Sequence, residues 1–260
     1  MTRLSELFQR KKERVLNVYC TAGYPELEST LPVMHALAAG GADIIELGMP
    51  YSDPLADGPV IQASGARALR NGMSIGKLFE QLASLRPALD VPVVLMGYLN
   101  PLLQYGFEAF CAKARACGVD GLIIPDIPLH AYEREYKAIV ERHGLDFIFL
   151  VTPETSEARV RDLDAASSGF LYAVSSSSVT GSAKDFSPVE EYLARLEELR
   201  LRNPVLVGFG IHDKATFDAA CRHARGAIIG SAYIRALYEP ELIQEATATF
   251  LAGILREEKR

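Results

Sequence analysis

Several signatures are missing from this chain, and each absence removes a class of function. There is no long basic run. The densest stretch, Arg10, Lys11, Lys12 and Arg14, includes Glu13 and reads as a solvated helix end. With a net charge of −6, a nucleic-acid surface is not expected. The four cysteines, Cys20, Cys111, Cys117 and Cys221, make no C-x-x-C pair, and so large a core needs no disulfide scaffold. No apolar run reaches the ~18 residues of a transmembrane helix. The opening MTRLSELFQRKKER lacks an apolar leader segment, so the cytoplasm is the expected compartment. No G-x-S-x-G or Walker motif occurs. The turn Thr21-Ala22-Gly23-Tyr24-Pro25 lacks the glycine fingerprint that an open dinucleotide-binding sheet carries after its first strand.

What is present is a regular alternation. Short apolar runs occupy residues 15–20, 42–47, 91–96, 119–124, 147–151, 170–174, 205–207 and 227–229. Each is β-branched or aromatic-rich and apolar nearly throughout, as a parallel strand buried on both faces should be. Amphipathic stretches lie between them: Leu78, Leu82 and Leu85; Phe107, Phe110 and Cys111; Val189, Tyr192, Leu193, Leu196 and Leu199, all at helical spacing. Eight such units in 260 residues predict a single (β/α)8 TIM barrel over residues 1–260. The segment Leu4-Ser5-Glu6-Leu7-Phe8 precedes the first strand and predicts an extra amphipathic helix. The interval after the second strand has room for a further element. The stretch 175–188 after the sixth is long and polar. Both would lie on the C-terminal face of the barrel, where barrels place catalysis.

The candidate chemistry sits at strand ends. Glu46 interrupts the apolar run Ile44-Ile45-Glu46-Leu47-Gly48. Desolvation should raise its pKa toward neutrality, which suits a proton shuttle. The alternative is a structural Glu paired with an Arg. Asp53 and Asp57 follow in a loop stiffened by Pro50, Pro54 and Pro59. Asp before Pro or Gly is ordinary turn chemistry, yet Asp57 lies beside the suspect Glu46. Two carboxylates in unlike environments are an acid/base arrangement. The turns Thr180-Gly181-Ser182, Gly208-Phe209-Gly210 and Gly230-Ser231 follow strands six, seven and eight, where barrels often bind phosphate. Taken singly, each is equally a plain tight turn. No Lys or Arg stands at a predicted strand end, so a phosphate would be held by backbone amides, Ser hydroxyls and helix dipoles. The same absence disfavours a Schiff-base aldolase. His130 and His212 read as surface or capping residues, which leaves no metal-ligand cluster. The remaining chemistry is metal-free acid/base work on a phosphorylated small molecule.

The stretch from Ile45 through Gly48-Met49-Pro50-Tyr51-Ser52-Asp53-Pro54-Leu55-Ala56-Asp57-Gly58-Pro59 to Gln62 resembles the signature of tryptophan synthase alpha subunits. Tyr19-Cys20-Thr21-Ala22-Gly23-Tyr24-Pro25, Tyr172-Ala173-Val174-Ser175, Val179-Thr180-Gly181, Val207-Gly208-Phe209-Gly210-Ile211 and Ile229-Gly230-Ser231-Ala232 are similar to that family in the same order along the whole chain. The resemblance implies a lyase that cleaves indole-3-glycerol phosphate to indole and glyceraldehyde 3-phosphate. It implies Glu46 as the proton shuttle, Asp57 as the anchor of the indole N–H, and Tyr172 as a nearby active-site tyrosine. It places Tyr19, Leu99 and Phe209 in the indole pocket, Thr180 on a closing loop, and Gly181, Gly210, Gly230 and Ser231 around the phosphate. It further implies a beta-subunit partner in an α2β2 heterotetramer, contacted through Asp53 and Pro54. No cofactor is expected in this chain, pyridoxal phosphate belonging to the beta partner. Departures are Ser176, where a basic residue is common, Ser178, where Gly is common, and Tyr19 and Tyr51, where Phe is frequent. The rivals are another sugar-phosphate or indole-pathway barrel, a stand-alone lyase that releases free indole, and a barrel retained only to activate its partner.

Overall fold

The computed structural model describes residues 2–174, 187–208 and 210–256. Nine short strands are all parallel: β1 Val15–Thr21, β2 Ile44–Gly48, β3 Val93–Met96, β4 Gly121–Ile123, β5 Asp146–Phe147, β6 Leu150–Val151, β7 Leu171–Val174, β8 Val205–Gly208 and β9 Gly226–Ile229. They lie in the order β5-β4-β3-β2-β1-β9-β8-β7-β6. The two ends of that order are consecutive pieces of one extended segment. Its Ile148 N–H donates to the Leu122 carbonyl on one side, and its Phe149 carbonyl accepts from the Tyr172 N–H on the other. Residues 146–151 are therefore a single stave, and the sheet closes into the eight-stave barrel that the eight apolar runs predict.

Parallel register decides which residues face inward. Asn17 is level with Ile44 and Ile228, Tyr19 with Glu46, Glu46 with Val94, and Leu150 with Tyr172. Side chains alternate along a strand. The interior set thus includes Val15, Ile44, Val94, Ile123, Ile148, Tyr172, Leu206 and Ile228, which form one buried cluster. The intervening residues, such as Val18, Ile45, Leu47, Leu95, Leu122, Ala173 and Val207, face outward and pack under the helices in a second cluster. Burial on both faces is why the strands read as unbroken apolar runs rather than as alternating ones.

The expected N-terminal helix is Arg3–Arg10, capped by Thr2 and Ser5 in a reciprocal box. Its Leu4, Leu7 and Phe8 are buried against the interior residues. The Phe8 and Phe170 rings stand 6.2 Å apart. Arg3 pairs with Asp120 at 2.9 Å, and the Thr2 hydroxyl donates to Asp146 at 2.5 Å. Both carboxylates stand at strand starts, so the helix plugs the N-terminal mouth of the barrel. The extra element after β2 is the helix Pro59–Arg70, which begins with Pro after Gly58, an N-terminal pattern that suits a helix start. It packs against β1 and the helix Ser231–Ala236. The helices Ile75–Leu82, Phe107–Ala116 and Ser187–Glu198 carry the apolar faces read from the sequence. Leu85 and Leu199 fall just beyond their helix ends. Of the long polar stretch 175–188, residues 175–186 lie outside the described residues, and Ser187 opens the helix Ser187–Glu198. Among the described residues no helix is long and apolar enough to cross a membrane.

Candidate active site

A cavity of about 460 Å³ opens at the C-terminal end of the barrel. Its floor is built from inward-facing residues of the strands: Tyr19 of β1, Glu46 of β2, Met96 of β3, Leu150 of β6, Tyr172 and Val174 of β7, and Ile228 of β9. One rim is Ala56, Asp57, Gly58 and Ile61, from the loop after β2 and the helix that follows it. The opposite rim is Gly210, Ile211, Gly230 and Ser231, after β8 and β9. Apolar walls with a few convergent polar groups are the usual composition of a small-molecule site. Among the described residues no Lys or Arg lines it.

The interior is crowded enough to need two missing side chains. A Cβ at Gly48 would overlap the Tyr19 hydroxyl, and one at Gly208 would overlap the Tyr172 ring. Gly210 has φ +75°, a left-handed conformation that most side chains disfavour.

Glu46 is 1% exposed, and among the described residues it has no ion-pair partner. The structural alternative of a Glu–Arg pair is thus not what the barrel contains. Burial pushes its pKa up to about 8; the Asn17 amide pulls it down, and the charge of Asp57 adds to the rise. The Asn17 Nδ2 donates to Glu46 Oε2 at 2.7 Å. Asp57 is half-buried. Burial raises its pKa to about 6, and the Tyr98 hydroxyl pulls it back. That hydroxyl also accepts from the Ala56 N–H at 3.0 Å, which ties the loop to the start of the helix Leu99–Tyr105. Two carboxylates share one cavity, and the deeper one keeps its proton to a higher pH than the shallower one. Tyr19 and Tyr172 are buried in the same cavity. Burial first, and then both carboxylates, push their pKa values well above the ordinary tyrosine range. Each stays a neutral hydrogen-bond donor.

The cavity gathers Tyr19, Glu46, Asp57, Tyr172, Gly210, Gly230 and Ser231 of the residues singled out in the sequence. Thr180, Gly181 and Phe209 lie outside the described residues. Leu99 is not in the lining. It opens the helix after β3, where its N–H donates to the Asp126 carboxylate at 3.0 Å. From β3 the lining takes Met96. The reason is register: Val94 and Met96 share the inward face of β3, and Leu99 comes after the strand has ended. Asp53 and Pro54 sit at the outer tip of the loop, beside Leu55, which is 94% exposed. His212 is exposed, and its Nδ1 pairs with the Gly210 carbonyl at 2.7 Å, a turn contact as expected. The sequence reading overlooked Asn17 and Tyr98. Asn17 carried a signal: an amide in an apolar run, two positions before Tyr19 and so on the same face. Tyr98 carried none, because its partner is reached only through the fold.

A family model described as Tryptophan synthase alpha chain matches residues 5–256. A Tryptophan synthase alpha chain from Parabacteroides distasonis is 50% identical, covering 98% of this chain and 99% of its own. A crystal structure of tryptophan synthase subunit alpha from Legionella pneumophila superposes with a TM-score of 0.89 at 32% identity, covering 98% of this chain and 97% of that one. A chain of tryptophan synthase from M. tuberculosis superposes with a TM-score of 0.84 at 34% identity, covering 98% of this chain and all of that one.

Proposed function

This chain belongs to the tryptophan synthase alpha chain family, and from that premise we infer that it cleaves indole-3-glycerol phosphate to indole and glyceraldehyde 3-phosphate in tryptophan biosynthesis. The observation that carries the assignment of roles is the pair of carboxylates with unequal proton affinity. Glu46, protonated at neutral pH, gives its proton to indole C3. The ring becomes an iminium cation, and ionised Asp57 holds its N–H and offsets the charge. The bond between C3 and the glycerol carbon then breaks, and its electron pair returns to the ring as indole regains aromaticity. The hydroxyl on that glycerol carbon loses its proton to the Glu46 carboxylate, directly or through water, and becomes the aldehyde. Glu46 ends as it began, so the cycle closes without a cofactor in this chain.

The remaining cavity positions the substrate. Tyr19, Met96 and Leu150 offer a flat apolar slot for the indole. Tyr172 bounds the reacting carbons with a neutral hydroxyl. Backbone amides at Gly210 and Gly230 and the Ser231 hydroxyl take the phosphate, joined by Thr180 and Gly181 in the family reading. Anchoring the remote phosphate orients the scissile bond and uses binding energy away from the reacting atoms. The exposed Leu55, flanked by Asp53 and Pro54, is an apolar tip suited to a protein partner. That supports docking of a beta subunit on this face, with pyridoxal phosphate confined to that partner and an α2β2 assembly in the cytoplasm.

The test is an assay of indole released from indole-3-glycerol phosphate by the purified chain, alone and with a beta subunit. Indole formation lowered ~10²–10⁴-fold in Glu46→Gln and abolished in Asp57→Asn is the expected result. Cleavage that survives both substitutions overturns the assignment of roles, and no cleavage under either condition overturns the activity.

A further inference from the structure

Asn17 occupies an unusual place. It is wholly buried and faces inward in a layer with Ile44 and Ile228, two residues before Tyr19 and so one layer below it. An amide among isoleucines is costly unless its hydrogen bonds are made. Its Nδ2 donates to Glu46 Oε2 at 2.7 Å, but its Oδ1 is buried with no partner among the described residues. Half of the amide is thus satisfied in the arrangement seen, and the other half is a spare acceptor.

The spare acceptor has a physical use. An ionised carboxylate only accepts hydrogen bonds, whereas a protonated one also carries an O–H that must donate. Rotation of the Asn17 amide about χ2 exchanges Nδ2 and Oδ1 at nearly the same position. We propose that Asn17 is a positioning residue for Glu46, donating to its carboxylate and accepting from its carboxylic acid, so that one side chain holds Glu46 in place before and after proton transfer. The proposal rests on the reading of Glu46 as the proton donor of the lyase reaction.

The other groups that face Glu46 do not offer this exchange. Among the described residues neither Tyr19 of β1 nor Tyr172 of β7, both held neutral by burial, makes a hydrogen bond to Glu46, whose side-chain partner is Asn17, and Cys20 points outward under the helices. Asp57, from the loop after β2, repels a negative Glu46. Asn17 is the neighbour with a donor on Glu46 and an acceptor unused beside it. Without it, Glu46 would be freer to turn and harder to ionise after giving up its proton.

The experiment uses the full chain labelled with carbon-13 at the Glu side-chain carboxyls, the Glu46 signal being assigned by its loss in Glu46→Gln. Asn17→Leu keeps the volume and removes both hydrogen bonds. The titration midpoint of Glu46 in the substrate-free chain is expected to rise by about one pH unit, because the hydrogen bond lost to the carboxylate is stronger than the one lost to the neutral acid. Turnover should fall by roughly tenfold with KM nearly unchanged, as for an interaction made in the transition state, and the basic limb of the kcat profile should move upward with the midpoint. Asn17→Thr, whose hydroxyl both donates and accepts, should bring the midpoint and the limb part of the way back. It also serves as the readout if the leucine variant does not fold. An unmoved midpoint overturns the proposal and leaves the lyase assignment intact. A moved midpoint with unchanged turnover and pH limb overturns Glu46 as the proton donor, and the positioning role falls with it.

Discussion

A carboxyl group buried beside a second carboxyl group cannot behave as it does in water, and the consequence is measurable in both rate and stability. The proposed mechanism needs Glu46 protonated and Asp57 ionised. The kcat/KM profile should therefore rise as pH passes about 6, where Asp57 loses its proton, and fall as pH passes about 8, where Glu46 loses its own. Initial rates across pH 5–9 check this, and a flat profile would contradict the roles. Glu46→Gln should lower kcat by ~10²–10⁴-fold with the fold retained. It should also change the stability profile. The folded-state pKa of Glu46 lies above its unfolded value, so between the two the folded chain binds a proton that the unfolded chain does not. Stability contributed by this site is thus lost as pH rises from the unfolded pKa toward about 8, since stability falls with pH wherever the folded state binds more protons. The glutamine variant lacks that titration, so its advantage over the wild type should grow from acid to pH 8 and then level off. Urea titrations at pH 5 and pH 8 read the difference.

Two elements hold the site from opposite sides. The loop after β2 carries Asp57 and is tied down where the Ala56 N–H donates to the Tyr98 hydroxyl. The same hydroxyl lowers the pKa of Asp57. Tyr98→Phe should therefore raise the acid limb of the kcat/KM profile and lower turnover several-fold, while Tyr98→Ala should add loss of the stacking against Tyr51, whose ring lies 5.4 Å away. An acid limb that stays in place in Tyr98→Phe would mean that the hydroxyl serves the backbone alone. The plug helix Arg3–Arg10 lies at the other end of the barrel. Leu4→Ala leaves a cavity under Gly169 and Phe170 and should cost about 2–5 kcal/mol, seen as a lower midpoint in denaturant. Activity per folded molecule should be preserved, because the plug closes the end of the barrel opposite the cavity.

For the whole molecule, the exposed Leu55 and the rim loop that carries Asp57 are continuous. A partner that grips Asp53, Pro54 and Leu55 would restrain the loop that carries Asp57. Binding and catalysis should then be coupled by about 1–3 kcal/mol: the isolated chain turns over slowly, and the beta subunit accelerates it. Pro54→Gly, which gives the loop more freedom to lose on binding, should weaken that acceleration more than it weakens the basal rate. Steady-state rates with increasing beta subunit decide this, and a chain already at full rate alone would refute the coupling while leaving the lyase chemistry in place.

The strands, the plug helix and the extra element after β2 were legible in the sequence because parallel strands buried on both faces leave long apolar runs and because Leu4, Leu7 and Phe8 share one helical face. Glu46 was legible for the same reason, as a charge where the pattern allows none. Whether its partner was an arginine or an amide was not, since Asn17 and Glu46 meet only when β1 and β2 take their register. Leu99 and Met96 show the same limit on a smaller scale: both are apolar and three residues apart, and only the end of β3 decides which one faces the cavity. Tyr98 reaches Ala56 and Asp57 across two successive βα loops. Residue types and their periodicity follow from local sequence, but which polar atoms face each other, and therefore which protons are held, is set by contacts between segments that the chain brings together only by closing the barrel.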